Sequence, residues 1–405
     1  MNACGLIVEY NPFHNGHLFH FKQSKEKTEA DVVIAVMSGT FLQRGEPAII
    51  DKFHRTKAAL LSGIDVVIEL PFAFSCQYAD LFAKGATMTL ANLGVDYICF
   101  GSEHGQIKPF IDSYMHFKQN EDDFQIYLKR HLNDGLSFPQ ASKKAYEQIG
   151  MNHAGLDLSL PNNILGYSYV KAIYDYNLSI KPETIKRIEN NYHDETIEKQ
   201  IASATSVRKE MFHENELTAK AKLALPHSTV DMLQTYKASS GLWHEWENYL
   251  PLLQHLVLTK SPNELREIHG IEEGFENRLK QTVHQANSFH DWMHLLKTKR
   301  YTWTRIQRNF VHLLTNTKKE EIEHIKQMKN IPYVRLLGMS NKGQEYIQRQ
   351  KKQMDIKLIS NLQDMEHPLL KMEERATDAY YSVVQPSLKK ALRNEELTGP
   401  IFVER

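Results

Sequence analysis

The sequence predicts an α/β fold: a doubly wound parallel sheet within residues 1–225, followed by a mainly α-helical domain over residues 226–405. Three observations carry that expectation. Short apolar, β-branched runs recur through the first part, each followed by a helical pattern, as crossover-connected parallel strands require. Gly, Pro or Asn punctuates the ends of those runs. Later the composition turns to Leu, Lys, Glu, Gln and His at helical spacing, with few β runs.

Taken in order, the first strand is Leu6-Ile7-Val8, after Ala3-Cys4-Gly5, apolar on both faces as a buried parallel strand must be. Asn11-Pro12 breaks it, and His14-Asn15-Gly16-His17 leads into a helix expected over 17–27. A second strand, Val32 to Met37, precedes Ser38-Gly39-Thr40. A helix over 52–62 leads to a third strand, Val66 to Leu70, stopped by Pro71. The next helix, 77–93, ends at Gly94, and a fourth strand, Tyr97 to Phe100, runs into Gly101-Ser102. Ligands of such sheets bind beyond the carboxyl ends of the strands, so His14, Ser38, Glu69 and Gly101 are expected on one rim. Residues 107–175 read as mostly helical, with a loop at Leu160-Pro161-Asn162-Asn163. A fifth strand over 180–188 carries Lys186 and Arg187 near its end, and the small polar stretch 201–208 opens a helix. The domain boundary is expected at 215–230, where Pro226 interrupts the helical signal, and residues 397–405 read as a loosely held tail.

A chain of 405 residues is long enough for two or three domains, and 41% apolar with 24% charged residues is ordinary for a soluble globular protein. Lys+Arg and Asp+Glu balance at 49 each, so any nucleic-acid surface must be a local patch. Cys4, Cys76 and Cys99 lie in or beside apolar runs without CxxC spacing, which reads as reduced core thiols in a cytoplasmic protein. No run of eighteen apolar residues and no basic-then-apolar leader is present, so neither a membrane span nor secretion is expected. Twenty histidines are scattered without HExxH spacing, and no metal ligands are assigned.

A strand, a glycine turn and a helix N-terminus form an anion site, because unpaired backbone N–H groups converge there. His14 and His17 flank Gly16 and add donors suited to charge developing on a phosphate, which makes the turn a candidate ATP site. The plainer alternative is a βα turn with two solvated histidines, disfavoured by the strand before it and the helix after it. Ser203-x-Thr205-x-x-Arg208 offers hydroxyls, N–H groups and a guanidinium for the β- and γ-phosphates. Alone it reads more simply as an N-cap serine and a surface arginine; the pairing with the histidine turn shifts the balance. Ser38-Gly39-Thr40, Gln43-Arg44-Gly45 and Lys52-Phe53-His54-Arg55 are evenly balanced between a pocket lining and an ordinary surface loop. KTKRYTWTRIQR, residues 297–308, interleaves cations with Tyr301 and Trp303. It suits RNA phosphates and bases, or else a solvated helix that buries Trp303 and Ile306.

HNGH after the first strand and SATSVR later resemble the HxGH and ISSTxIR signatures of the nucleotidylyltransferase superfamily. The longer strings GLIVEYNPFHNGH, SGTFLQRGEPAIIDKFHRTKAAL, IELPFAFSCQYADLFAKGA, FGSE and PNNILG resemble the bacterial tRNA(Met) cytidine acetate ligase family, along essentially the whole chain. That resemblance implies a ligase forming a carbon–nitrogen bond. Acetate is activated by ATP, with Mg²⁺, as acetyl-adenylate, and the exocyclic amine of the wobble cytidine of elongator tRNA(Met) is then acetylated. It further implies cytoplasmic work with no stable protein partner. The ATP-binding loop is implied to comprise Ile7, Val8, Glu9, Tyr10, Asn11, Pro12, Phe13, His14, Asn15, Gly16, His17, Leu18, Phe19 and His20. Gly101, Asn162 and Arg187 are implied to hold the nucleoside, and His14, His17, Ser203, Thr205 and Arg208 to be catalytic. Ala204 departs from the superfamily pattern, which has a second serine there. Within the resemblance the 297–308 segment leans toward tRNA contact, while the 38–55 segment stays evenly balanced between lining the acetate pocket or the tRNA entrance and an ordinary surface loop. The alternatives are a small-molecule adenylyltransferase, which leaves the large helical region without a task, and an RNA-binding protein with a relic nucleotide fold.

Overall fold

The computed structural model describes residues 1–151, 155–187 and 202–405, without the side chain of Pro139. The five expected strands form as β1 (Ala3–Val8), β2 (Val32–Ser38), β3 (Val66–Leu70), β4 (Tyr97–Ser102) and β5 (Lys181–Lys186). All four pairings among them are parallel, in the order β5-β4-β1-β2-β3. Period-two alternation sorts their side chains. Cys4, Leu6, Val8, Val33, Ala35, Met37, Val67 and Cys99 pack on one face with Phe21, Phe53 and Leu60 of the helices Asn15–Lys27 and Lys52–Leu61. Ala3, Val32, Ile34, Val36, Ile68, Ile98 and Phe100 pack on the other with Ala83, Ala86 and Leu90 of the helix Ala79–Asn92. That helix lies so close that a Cβ on Gly5 would come within 2.7 Å of Leu90. All three cysteines are buried and unpaired.

Several expectations need correcting. The chain beyond residue 226 is mainly helical, yet it supplies β6 (Tyr333–Ser340), β7 (Lys357–Ile359) and β8 (Ile401–Val403) to the same sheet. β6 lies antiparallel to β3 and carries β7 and β8, so the sheet crosses the boundary expected near residue 225. The tail is not loose: β8 pairs with β6, and Arg405 bonds the Gly63 carbonyl at 2.7 Å and the Asp65 carboxylate at 3.0 Å. The loop at 160–163 is instead the first turn of the helix Pro161–Asp175, because proline at a first helical position costs no hydrogen bond. The first helix begins at Asn15 rather than His17, with His14 as its N-cap. Residues 188 and 201 of the expected strand and small-polar stretch lie outside the described residues.

Glu69 does not face a ligand rim. It belongs to a buried cluster with Lys52 (2.6 Å) and Arg335 (2.8 Å), which in turn reach Glu396 at 2.9 and 2.7 Å. Glu373 lies 3.5 Å from Lys52 and accepts the Phe72 N–H at 2.7 Å. Two cations thus face three carboxylates in a site almost closed to water, and burial beside Glu69 pushes the Glu373 carboxyl up to about 8. With Glu373 protonated the cluster is electrically neutral. It joins the helix after β2, strands β3 and β6, and the two C-terminal helical segments that carry Glu373 and Glu396.

Candidate active site

The His14–His17 turn is organised by its own imidazoles. His14 Nδ1 accepts the Gly16 N–H at 3.0 Å, and His17 Nδ1 accepts the His14 N–H at 3.3 Å, a reciprocal capping box made from two histidines. The rings stack with centroids 3.8 Å apart. A ring nitrogen that accepts an N–H carries no proton, so in both residues the proton sits on Nε2. Burial holds His14 down at about 3, with Arg187 and Arg208 adding to the shift, and burial followed by His14 itself holds His17 well below the usual range. Both rings are therefore neutral Nε2–H donors at physiological pH. This modifies the sequence expectation: the first-turn N–H groups are not free for an anion. Asn15 donates to the Ala224 carbonyl at 2.9 Å, Gly16 to His14, and His17 to the His14 carbonyl at 2.8 Å.

Within the expected loop, Val8, Tyr10, Phe13, Leu18 and Phe19 pack in the core on the side of helix Asn15–Lys27, while Ile7 packs on the opposite face. Asn11 and Pro12 are joined by a cis peptide bond, and the Asn11 side chain accepts the Ile49 N–H at 2.7 Å. His20 is held down to about 4 by burial and by Arg187.

Arg208 lies nearly two hundred residues from the turn in sequence and beside it in space. It donates to the Asn11 carbonyl at 2.8 Å and pairs with Glu46 at 2.7 Å. It is no free surface arginine. Ser203 is the N-cap of the helix Ala204–Glu214 and accepts the Ser206 N–H at 3.0 Å, as its plainer reading had it, and Thr205 is exposed on the first turn. On the other side, Arg187 follows β5 and bonds Asn162 Oδ1 at 3.3 Å. A Cβ on Gly101 would stand 3.2 Å from Arg187 and 3.9 Å from His20, so Gly101, Asn162, Arg187 and His20 meet. Glu103 completes that corner. Its carboxylate takes the N–H groups of Asn162 (3.2 Å) and Asn163 (2.8 Å) and the Asn162 side chain (2.7 Å), capping the helix from 59 residues away. Sequence reasoning quoted Glu103 within FGSE without seeing this role; the signal was an acid beside the glycine and an uncapped Pro-Asn-Asn helix start.

Buried polar atoms without a protein partner gather on this rim: Tyr10 hydroxyl, Asn11 Nδ2, His20 Nε2, Ser38 Oγ, Thr40 Oγ1 and His104 Nδ1. Polar atoms are seldom buried unsatisfied, so these are free to meet a polar ligand, though such atoms also occur elsewhere in the described chain, as at Ser113, Tyr167 and Thr229. The donors suit phosphate and not a cation. Of the carboxylates here, Glu46 is paired with Arg208 and Glu103 caps a helix. The residues thus offer no cage for magnesium, which would have to come bound to the triphosphate.

The 38–55 segment is mostly scaffold. Arg55 is buried and donates to the carbonyls of Glu9 (2.6 Å), Ser38 (2.9 Å) and Gly39, tying the ends of β1 and β2 together. Gly45, at φ +78°, packs its Cα against the helix Trp303–Leu314, where a Cβ would come within 2.3 Å of the Arg308 nitrogen. Within the 297–308 segment Tyr301 presents no stacking platform, and Trp303 is partly buried. Tyr301 is buried between Phe275 (4.2 Å between centroids) and the Arg305 guanidinium (4.3 Å), and Trp303 packs on His290 and His294. Arg300 and Arg305 pair with Glu273 and Glu272, and Arg308 binds the Gln77 carbonyl at 3.0 Å.

The HIGH Nucleotidyl Transferase family model matches residues 1–396. A tRNA(Met) cytidine acetate ligase of Oceanobacillus iheyensis is 51% identical over 403 residues, covering all of both chains. One of Bacillus licheniformis is 45% identical over 399 residues, covering 98% of this chain and 96% of its own. Among solved structures, apo Thermotoga maritima TmcAL aligns over both full chains with a TM-score of 0.91 at 31% identity, and the same protein bound with alpha-thio ATP with a TM-score of 0.90.

Proposed function

This chain belongs to the HIGH nucleotidyl transferase family, within its tRNA(Met) cytidine acetate ligase branch, and we infer from that membership that it activates acetate with ATP and acetylates the wobble cytidine of elongator tRNA(Met). It is an ATP-using ligase that forms a carbon–nitrogen bond. The observation that carries the chemistry is the stacked pair of neutral histidines, each with its proton on Nε2, beside an arginine that reaches the same turn.

In the first half-reaction an acetate oxygen attacks the α-phosphorus in line and pyrophosphate leaves. Neutral His14 and His17 donate from Nε2 to oxygens that gain charge in the transition state. Arg208 exchanges Glu46 for the β- and γ-phosphates, helped by the hydroxyls of Ser203 and Thr205 at the start of helix Ala204–Glu214. The neutral state of the pair supports this role, because a donor that stays neutral when the site is empty avoids two buried cations beside Arg187 and Arg208. Gly101 leaves room for the adenosine, with Asn162 and Arg187 at its edge. Magnesium on the triphosphate would lower the charge that these donors must offset. In the second half-reaction the cytidine amine attacks the acetyl carbon and AMP leaves, the anticodon base being splayed out of its stack. No described helix is long and apolar enough to cross a membrane, in keeping with work on tRNA in the cytoplasm.

Acetate-dependent release of pyrophosphate, followed by nucleoside mass spectrometry of the tRNA for acetylcytidine, tests the reading. Adenylation of a phosphorylated metabolite with no dependence on acetate would replace it with the small-molecule adenylyltransferase.

A further inference from the structure

Acyl transfer to an exocyclic amine needs a proton acceptor. The cytidine N4 lone pair is delocalised into the ring, and the nitrogen becomes cationic as it bonds to the acetyl carbon. The histidine pair cannot serve. Each Nδ1 already accepts a backbone N–H and each Nε2 carries a proton. Glu46 is paired with Arg208, and Glu103 accepts three N–H bonds at the start of its helix.

Glu9 is placed differently. It is the first residue after β1, at the carboxyl end of a central strand, and remains partly exposed. Its main chain is fixed by the Arg55 guanidinium at 2.6 Å. Its carboxylate is held through one oxygen, Oε1, by the Gln43 N–H at 2.8 Å, and among the described residues Oε2 receives no hydrogen bond. The support is stiff, since the Gln43 side chain and Arg308 converge on the Gln77 carbonyl at 2.8 and 3.0 Å. The charged and titratable groups around it are Glu46, Arg44, Arg208, Arg55, Cys76 and Tyr169. Arg208 acts electrostatically on both Glu9 and His14, so the carboxylate and the His14 imidazole share one guanidinium.

We propose that Glu9 is the general base of acetyl transfer. The N4–C bond forms, the bond between the acyl carbon and the AMP oxygen breaks with its electron pair leaving on AMP, and the proton shed by N4 goes to Glu9 Oε2. Burial lifts this carboxyl above the ordinary range, toward the working pH, as suits a base. The assignment rests on the ligase reading above.

The test is single-turnover transfer from pre-formed acetyl-adenylate to tRNA, followed against pH in wild type, E9Q and E9D. E9Q keeps an oxygen to accept the Gln43 N–H but cannot take a proton. Transfer should slow by about 100-fold or more, with loss of the acidic limb of the pH profile, while E9D keeps the limb and recovers at least about tenfold over E9Q. E9Q transferring at the wild-type rate with the limb intact, or E9D no better than E9Q, overturns the assignment and leaves the ligase reading standing. Wild type yielding no acetylcytidine at any pH overturns both.

Discussion

Replacing Glu373 by glutamine should flatten the loss of stability with pH while leaving the fold intact. In the buried cluster Lys52 and Arg335 balance Glu69 and Glu396, and a third ionised carboxylate would be an uncompensated charge in a dry site. Glu373 therefore keeps its proton to about 8 in the folded chain, against an ordinary glutamate value when unfolded. Between those values the folded state binds more protons than the unfolded state, so this group's stability is full at low pH and is lost as pH rises toward 8. Each pH unit in that window is worth about 1.4 kcal/mol, and allowing for partial ionisation near the upper end gives about 2 kcal/mol between pH 6 and 8. Glutamine mimics the protonated acid: its oxygen accepts the Phe72 N–H and its NH₂ donates toward Glu69. Urea unfolding of wild type and E373Q at both pH values cancels the other titrating groups in the difference. E373Q should lose about 2 kcal/mol less than wild type over that interval. Identical pH dependence in the two proteins would show that Glu373 is not the group holding the extra proton.

Two further outcomes concern the proposed active site and one the 297–308 segment. His17→Ala removes one Nε2 donor and should lower acetyl-adenylate formation by about 100- to 1,000-fold with tRNA affinity largely kept, as read by pyrophosphate release and filter binding. Arg208→Met strands Glu46 and removes a cation from the triphosphate site, so kcat/KM for ATP should fall about 10- to 100-fold, measured under saturating acetate. An unchanged value would remove Arg208 from the phosphate site. Lys299→Ala with Arg300→Ala should weaken tRNA binding and reduce the salt slope by about 1 to 2, whereas an unaltered slope takes this segment out of the interface.

The first four strands were legible because each is a local run of apolar residues with a turn signal behind it, and the histidine turn because strand, break and helix start are contiguous; β5, a mostly polar KPETIK edge strand, carried only a weak signal. The C-terminal strands were not legible. β6 carries Arg335 near its start, and a buried arginine reads as a surface residue until Glu69 and Glu396, respectively 266 and 61 residues away, are seen to bond it. For the same reason Glu69 looked like a rim residue. Tyr301 looked like a platform for a base, since spacing cannot reveal that Phe275 already stacks on it. The tie between Arg208 and the Asn11 carbonyl was legible only as a paired motif, without its geometry.

The antiparallel join of β3 to β6 also has a mechanical consequence. A hinge between the N-terminal half and the C-terminal, mainly helical half would have to unzip a strand pair, expose five buried ionisable side chains and pull the Gly45 loop from the Trp303–Leu314 helix. Closure by one half rocking over the other is thereby expensive. In the proposed reaction the flexible body is the RNA: its anticodon loop bends to bring one base to a nearly rigid receptacle.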